Sequence, residues 1–366
     1  MARTRPSRTA QRSHLALLRA LTEAVGVSGD EGEVRRLVRE QVEPLADEVL
    51  VDALGNLIAV RKGTARRCVR VMLSAHMDEV GLMLTGAEAD GYLHVATVGG
   101  IAPHQLLGKA FWVGKDRVPG VIGMTPPHLS APGDKRRTPG FDQMRLDVGA
   151  RTRDDALERV RIGDRAAFAT PLARLGDAVS AKALDDRLGV AILIELFQAA
   201  PASIDLMATF SVQEEVGLRG AGVAAHRLDP QMAIAIDCTP ARDLPTWDGS
   251  ENTAYNTRLG LGPALYTADR ATVSDRRLLE HVEAVARSAR LPYQLRQPGG
   301  GGTDAGSIHR ARKGIPAISV SVPVRYPHSP AGLIRLDDWR NTVLLLHAAL
   351  SRLTPESLTR KRTAHG

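Results

Sequence analysis

The chain has 366 residues, 43% of them hydrophobic, enough for a packed core and, at roughly 150 residues per domain, for two or three domains. A formal charge of +7 and an isoelectric point near 9.7 invite a nucleic-acid reading, yet Arg3, Arg5, Arg8 and Arg12 in residues 1–13 and Arg360, Lys361 and Arg362 in residues 357–366 face no acid and hold the whole excess. The body between them is neutral and only 4% of the chain is aromatic, which argues against binding a phosphate backbone, stacking single-stranded bases or gripping an extended sugar chain.

In chain order, MARTRPSRTAQRS is basic and acid-free like a transit peptide, but it is short and no apolar segment of a signal peptide follows it. We read it as a frayed basic tail and expect a cytoplasmic protein. A helix is expected from about His14 through LALLRALTEAVG, and a second after a Ser28 cap in SGDEGEVRRLVREQVEPL. The stretches VLVDALGNLIAVRKG and CVRVMLSAHMDEVGLML read as strands. Over residues 81–174 the texture changes to short strands punctuated by Gly and Pro, with no helix longer than DDALERV, so a small all-β unit is expected there. Beyond it LGVAILIELFQAA reads as a helix, IDLMATFSV and AIAID as strands, DRRLLEHVEAVARSARL as a helix, PAISVSV as a strand and DWRNTVLLLHAALSRL as a closing helix. The expectation is an α/β domain over residues 14–80 and 175–356, interrupted by a β insertion at 81–174 and flanked by basic tails at 1–13 and 357–366. No run approaches the ~20 apolar residues of a membrane helix. Cys68 and Cys238, each within an apolar run, read as reduced core thiols, too few for a disulfide framework.

Acids and histidines stand at the ends of the apolar segments. His76 and Asp78 follow CVRVMLSA, Glu214 and Glu215 follow IDLMATFSVQ, Asp237 follows AIAI, and His328 follows AISVSVPVRYP. These segments would end at one edge of the sheet, where open α/β sheets bind ligands. Asp185 and Asp186 precede a helix, where such a pair is commonly a cap. Singly each position has an ordinary explanation; their coincidence on one rim points to a site. Imidazoles and carboxylates without thiolate suit Zn²⁺, Co²⁺ or Mn²⁺, and this many can hold two ions. Residues two apart on an extended segment share a face, so Asp78 can orient His76, whereas the adjacent Glu214 and Glu215 diverge, one free to ligate and the other to take a proton.

The segments LSAHMDEVGLM, SAKALDDRLG, SVQEEVGLRGA, AIDCTP, GGTDAGSIH and RYPHSP, in this order, resemble the M42 family of dinuclear-metal aminopeptidases, the tetrahedral or TET aminopeptidases. LTEAVGVSGDEGEVRRLV, VGGIAPHQLLGKAFWVG and LDVGARTRDDALERVRIGD extend the likeness over roughly residues 16–350. The resemblance implies a zinc-peptidase-like mixed sheet sandwiched by helices, with a small barrel- or PDZ-like β insertion used in assembly. It implies two divalent ions, Zn²⁺ or Co²⁺ with Mn²⁺ as a third option: one on His76, Asp185 and Asp237, the other on Glu215 and His328 with Asp185 bridging. Glu214 would be the general base, Asp78 the orienting partner of His76, and Thr303 and Asp304 would lie close to the substrate. The activity implied is removal of N-terminal residues from short peptides by a homo-oligomer, a dodecamer or a dimer, without nucleic-acid or membrane partners. Alternatives are a deacylase or glycoside hydrolase using the same centre, and a non-catalytic assembly protein. Pro327 before His328, and Ala331-Gly332 after Ser329-Pro330, depart from the family's usual bulky apolar residue and Glu, and fall on the surroundings of His328.

Overall fold

A computed structural model of the chain describes residues 8–124, 140–244, 248–250 and 257–359. Its elements in order are α1 (Arg8–Glu23), α2 (Gly32–Val42), β1 (Glu48–Val51), β2 (Leu57–Arg61), β3 (Val69–His76), β4 (Gly81–Ala87), β5 (Leu93–Val98), β6 (Ala110–Val113), β7 (Val118–Gly123), β8 (Arg145–Asp147), α3 (Arg153–Arg159) and β9 (Arg165–Phe168). Then come β10 (Ala173–Leu175), β11 (Ala178–Ala181), α4 (Leu184–Gln198), β12 (Ile204–Ser211), α5 (Arg219–Leu228), β13 (Met232–Pro240), β14 (Ala264–Tyr266), α6 (Arg276–Ala289), β15 (Gln294–Arg296), α7 (Ala305–Ile308), β16 (Ala317–Val324), β17 (Gly332–Arg335) and α8 (Leu336–Ser351).

Eight strands form one mixed sheet in the order β1-β2-β12-β3-β13-β16-β14-β15, in which β12, β3, β13 and β16 run parallel. Those four are continuous apolar runs rather than alternating ones because both faces are covered. One face packs on α1, α2, α4, α6 and α8 through residues such as Leu18, Val34, Leu188, Leu278 and Leu345. The other packs on α5 and α7 through Ala221, Ala224, Ala305 and Ile308, and the three alanines let these helices lie close to the sheet. β4 to β9 close a separate barrel, in the order β4-β5-β8-β7-β6-β9, around Leu82, Leu146, Phe111 and Phe168, the two aromatic rings 4.7 Å apart at their centroids. The sheet sandwiched by helices and the inserted small barrel are those expected.

Local readings are corrected at the amino end. α1 begins at Arg8, inside the stretch read as a tail, while Arg3, Arg5, Arg360, Lys361 and Arg362 lie outside the described residues. Ser28 is not the cap of α2, which starts at Gly32 with Glu31 before it. Cys68 is half-buried rather than in the core, and Cys238 is buried.

The topology locates a crevice. From β3 the chain passes through the barrel and α4, on one face of the sheet, to β12 on one side of β3. From β12 it passes through α5, on the opposite face, to β13 on the other side. The winding therefore reverses about β3, and ligands collect beyond the carboxyl ends of strands at such a reversal.

Candidate metal centre

Each suspected residue reaches this crevice by its own route. His76 is the last residue of β3, level with Ser211 at the end of β12. Asp237 sits inside β13, opposite Ser321 of β16, rather than following the strand. Glu214 and Glu215 come after Gln213, Asp185 comes two residues after Ala183, and His328 comes in the loop after β16. Gln213, Ala183, Tyr326 and His328 have φ of 57, 51, 58 and 52°. Left-handed backbone costs a residue other than glycine about 1–2 kcal/mol, so its recurrence in all three loops that carry candidate ligands marks a place where packing holds strain.

The side chains converge. His76 Nε2 is 3.4 Å from Asp185 Oδ1 and 3.9 Å from Asp237 Oδ1, while His328 Nε2 is 3.5 Å from Asp185 Oδ2 and 3.2 Å from Glu215 Oε2. Asp185 thus turns one oxygen to each imidazole. Both rings offer their other nitrogen to a carbonyl: His76 Nδ1 is 3.1 Å from the Asp78 oxygen and His328 Nδ1 is 2.9 Å from the Gly100 oxygen. Donation of Nδ1–H to those carbonyls directs both Nε2 atoms at the carboxylates. Gly100 belongs to the segment between β5 and β6, so the insertion helps orient the last histidine. Gly99, at φ +81°, permits the approach, because a Cβ there would meet Val80 Cγ1 at 2.7 Å.

Asp78 orients His76 through its backbone oxygen more than its carboxylate, which stands 3.5 Å from the ring. The carboxylate instead accepts from Ser28 Oγ at 2.6 Å, Glu214 N at 3.0 Å and Glu215 N at 3.1 Å. Asp186 fulfils the ordinary reading of a cap, accepting from Gly189 N at 2.9 Å, while its other oxygen accepts from His76 N at 3.2 Å. Both its oxygens are engaged, which sets it apart from Asp185. Among the described residues no donor is hydrogen-bonded to the Glu214 carboxylate, so the two adjacent glutamates do part company as their spacing requires.

Burial disfavours every charge here and the neighbours decide the outcome. It works to lower the imidazole pKa values, but Asp185 and Asp78 hold His76 well above the ordinary value, and Asp185 and Glu215 hold His328 up at about 11. Burial opposes ionisation of Asp185, but its hydrogen bonds with His328 and His76 outweigh this and pull it below the carboxylate range. Burial, with Asp186 and Asp185 beside it, pushes Asp237 far up; burial and then Glu215, Asp304 and Asp78 do the same to Glu214 against His76.

These residues fit divalent cations. Ligand atoms of His76, Asp185 and Glu215 lie within 4.8 Å of one another, as do those of His76, Asp186 and Asp237. Glu215 Oε1 is buried and has no hydrogen-bond partner, an acceptor that a cation would satisfy. A third grouping adds Cys238 to Asp185 and Asp186, but burial raises that thiol's pKa and its Sγ is spent on the Leu184 oxygen at 3.3 Å.

Thr303 and Asp304 are 1% and 3% exposed, buried rather than open to the crevice, whereas Gly299–Gly302 before them are exposed. Thr303 Oγ1 is 2.6 Å from Ser319 Oγ, and Asp304 Oδ2 accepts from Ser74 Oγ at 2.6 Å and Ser211 Oγ at 2.5 Å. Sequence reasoning missed those serines, Ser28 as a partner of Asp78, and a buried ion cluster in which Lys182 Nζ meets both Glu79 oxygens at 2.7 and 2.8 Å and Arg187 Nη2 meets one at 3.2 Å. Arg187 also donates to the Leu21, Ala24 and Gly26 oxygens, tying the turn before Ser28 to the segment that carries Asp185 and Asp186. The signal was there: Lys182, Arg187 and Glu79 are charged residues inside the same short segments as the candidate ligands.

Comparison with known proteins follows the geometry. A family model described as M42 glutamyl aminopeptidase matches residues 55–345. A lysyl aminopeptidase of Pyrococcus furiosus is 36% identical over 351 residues, 94% of this chain and 98% of that protein. The crystal structure of a TET aminopeptidase from the marine sediment archaeon Thaumarchaeota archaeon SCGC AB-539-E09 superposes with a TM-score of 0.90 at 35% identity, covering 95% of this chain and 99% of that one. The Pyrococcus horikoshii TET1 peptidase, which assembles into a tetrahedron or a large octahedral shell, is 34% identical at a TM-score of 0.81, covering 93% and 100%.

Proposed function

This chain belongs to the M42 glutamyl aminopeptidase family and is an aminopeptidase, and on that premise we propose that it releases N-terminal residues from short peptides at a centre of two divalent ions, with Glu214 as general base. The observation that carries the reading is Asp185, whose two oxygens face two different imidazoles. His76, Asp185 and Asp237 would hold one ion, and Asp185, Glu215 and His328 the other; the donor set suits Zn²⁺, Co²⁺ or Mn²⁺. Such ions supply polarisation of the scissile carbonyl and a water acidic enough to attack near neutral pH.

The protein's own groups do the rest. Burial and the surrounding acids give the Glu214 carboxylate a proton affinity well above that of an ordinary glutamate, which favours its accepting a proton at Oε from the attacking water and delivering it to the leaving amine nitrogen. Asp78 fixes the Glu214 backbone through its N–H, and the left-handed Gln213 turns the pair of glutamates apart. Asp185 and Glu215 are paired with imidazoles and cannot flank a sugar bond as free acid and base, which disfavours the glycosidase alternative. We read the barrel insertion, residues 81–174, as the assembly domain of a homo-oligomer, a dodecamer or a dimer, and the enzyme as cytoplasmic. Among the described residues no helix is long and apolar enough to cross a membrane.

Glu214→Gln tests the reading. It is expected to keep the metal content and to lower kcat on aminoacyl p-nitroanilides by at least about 10²-fold, the scale of general-base catalysis. Near-normal turnover would overturn the assignment of Glu214, and absence of aminoacyl hydrolysis by the metal-loaded wild type would overturn the function.

A further inference from the structure

β12 ends at Ser211, and with it ends the ladder that could accept the next backbone N–H groups. The four that follow, of Val212, Gln213, Glu214 and Glu215, each donate to a side chain from a distant part of the chain. Val212 N reaches Asn56 Oδ1 at 3.0 Å and Gln213 N reaches Glu31 Oε1 at 3.2 Å, while Asp78 takes the remaining two. These acceptors come from the turn before β2, the start of α2 and the junction of β3 with β4, between 136 and 182 residues away in sequence. Three of the four bonds go to carboxylates, which accept more strongly than neutral oxygens.

Each acceptor is itself held. Asn56 is fully buried, and its Nδ2 donates to Asp52 Oδ2 at 2.7 Å and to the Gly220 oxygen at 3.0 Å, which turns Oδ1 toward Val212. Position 220 has to be glycine for this, because a Cβ there would stand 2.2 Å from Asn56 Oδ1. Glu31 is 4% exposed and stands just before α2, where a side-chain oxygen ordinarily accepts from the first turn of its own helix. It makes no such bond; Oε1 accepts from Gly29 N at 2.7 Å and from Gln213 N instead. Gln213 is the strained residue of the loop, with φ of 57°, and from it Glu214 and Glu215 diverge.

We propose that Glu31 is a positioning residue for the reaction: with Asn56 and Asp78 it fixes four successive amides, and its own share is to keep Gln213 in the left-handed conformation that aims Glu214. A catalytic group displaced by about 1 Å can cost about 10²-fold in rate, so the restraint on Gln213 bears on turnover although Glu31 touches neither substrate nor candidate ligand. This rests on the reading of Glu214 as general base. Glu214→Gln at near-normal turnover removes that reading, whereas the mobility of residues 212–215 is measured without reference to it.

The test joins kinetics to hydrogen exchange. With the metal-loaded enzyme, kcat and KM on an aminoacyl p-nitroanilide are measured for Glu31→Ala and Glu31→Gln, and amide exchange is followed by mass spectrometry in peptic fragments covering residues 212–218. In Glu31→Ala that segment is expected to exchange at least about tenfold faster, and kcat per metal-loaded chain to fall at least about tenfold with KM within about threefold. Glu31→Gln keeps an oxygen for Gln213 N and should recover most of both. Faster exchange in Glu31→Ala with unchanged kcat, or a loss of kcat as large in Glu31→Gln as in Glu31→Ala, overturns the assignment. The wild type decides as well, whatever the fate of Glu31→Ala: a segment that exchanges as fast as an exposed loop overturns the restraint itself.

Discussion

Asp78→Asn separates the role proposed for Glu214 from that of the candidate metal ligands. The Asp78 carboxylate is fully buried and receives Ser28 Oγ and Glu215 N on Oδ2 and Glu214 N on Oδ1. Asparagine supplies one acceptor and one donor in nearly the same volume, so one of those positions becomes an NH₂ group. With the oxygen at Oδ2 it keeps Ser28 and Glu215 and orphans only the Glu214 N–H; reversed, it orphans Glu215 N–H and forces the Ser28 hydroxyl to turn. The first is the smaller loss. A buried N–H left facing another donor costs about 1–3 kcal/mol. The expectation is therefore a fall of about 1–3 kcal/mol in unfolding free energy, and a kcat lowered about 10- to 100-fold through a displaced Glu214, with Glu215 and the metal content preserved. Urea unfolding, elemental analysis of the dialysed protein and kcat at saturating metal measure the three quantities. Ser28→Ala is the control, since it removes a donor to Asp78 without touching either glutamate amide, and it should leave kcat within about threefold while costing about 1 kcal/mol. An Asp78→Asn enzyme with unchanged kcat, or one that loses its metal before its turnover, would refute the reasoning.

Two further expectations concern charge and metal. Burial raises the Glu195 carboxyl on α4 to about 7 from an ordinary 4.5, against a hydrogen bond with Trp339; because its folded pKa is the higher, its stability contribution is full below pH 4.5 and is lost as pH rises through 7. Glu195→Gln should therefore flatten the pH dependence by about 2.5 kcal/mol between pH 5 and 8.5 in urea titrations, and parallel profiles for the two proteins would count against it. Burial also lowers the pKa of His14, whose Nδ1 lies 3.3 Å from Glu195 Oε2. Stripping the metal with a chelator should abolish turnover and lower Tm; turnover undiminished in the metal-free protein would contradict this.

What could be read from the sequence was whatever is written next to itself. His76, Asp185, Glu214, Glu215, Asp237 and His328 each sit against an apolar run, and the alternation of strands and helices on either side of a Gly- and Pro-rich block showed a split α/β domain. Ser28 was legible only as a local cap because serine ordinarily bonds nearby backbone; here its partner is Asp78, 50 residues on. Gly100 is 228 residues from His328, and nothing in either neighbourhood tells a reader that its carbonyl will orient that ring. Arg296 is 57 residues from Thr239, to which its Nε donates, at the end of a three-residue strand not marked in the sequence analysis. Contacts that depend on how the sheet winds about β3 exist only after the strands are placed.

The charge that began as a hint of nucleic-acid binding points elsewhere. In the crevice, acids outnumber imidazoles, and Asp186, Asp237, Glu214 and Glu215 are all pushed upward in pKa by burial before any neighbour acts. The crevice carboxylates in turn hold His76 and His328 above the ordinary imidazole range. Both imidazoles keep Nδ1 tied to a backbone carbonyl and aim Nε2 at a carboxylate, so replacing an Nε2 proton by a divalent ion requires no ring to turn. Exchange of proton for metal at fixed geometry is what a preorganised ligand set provides, and on the proposed reading metal affinity would weaken as pH falls through the same two histidines.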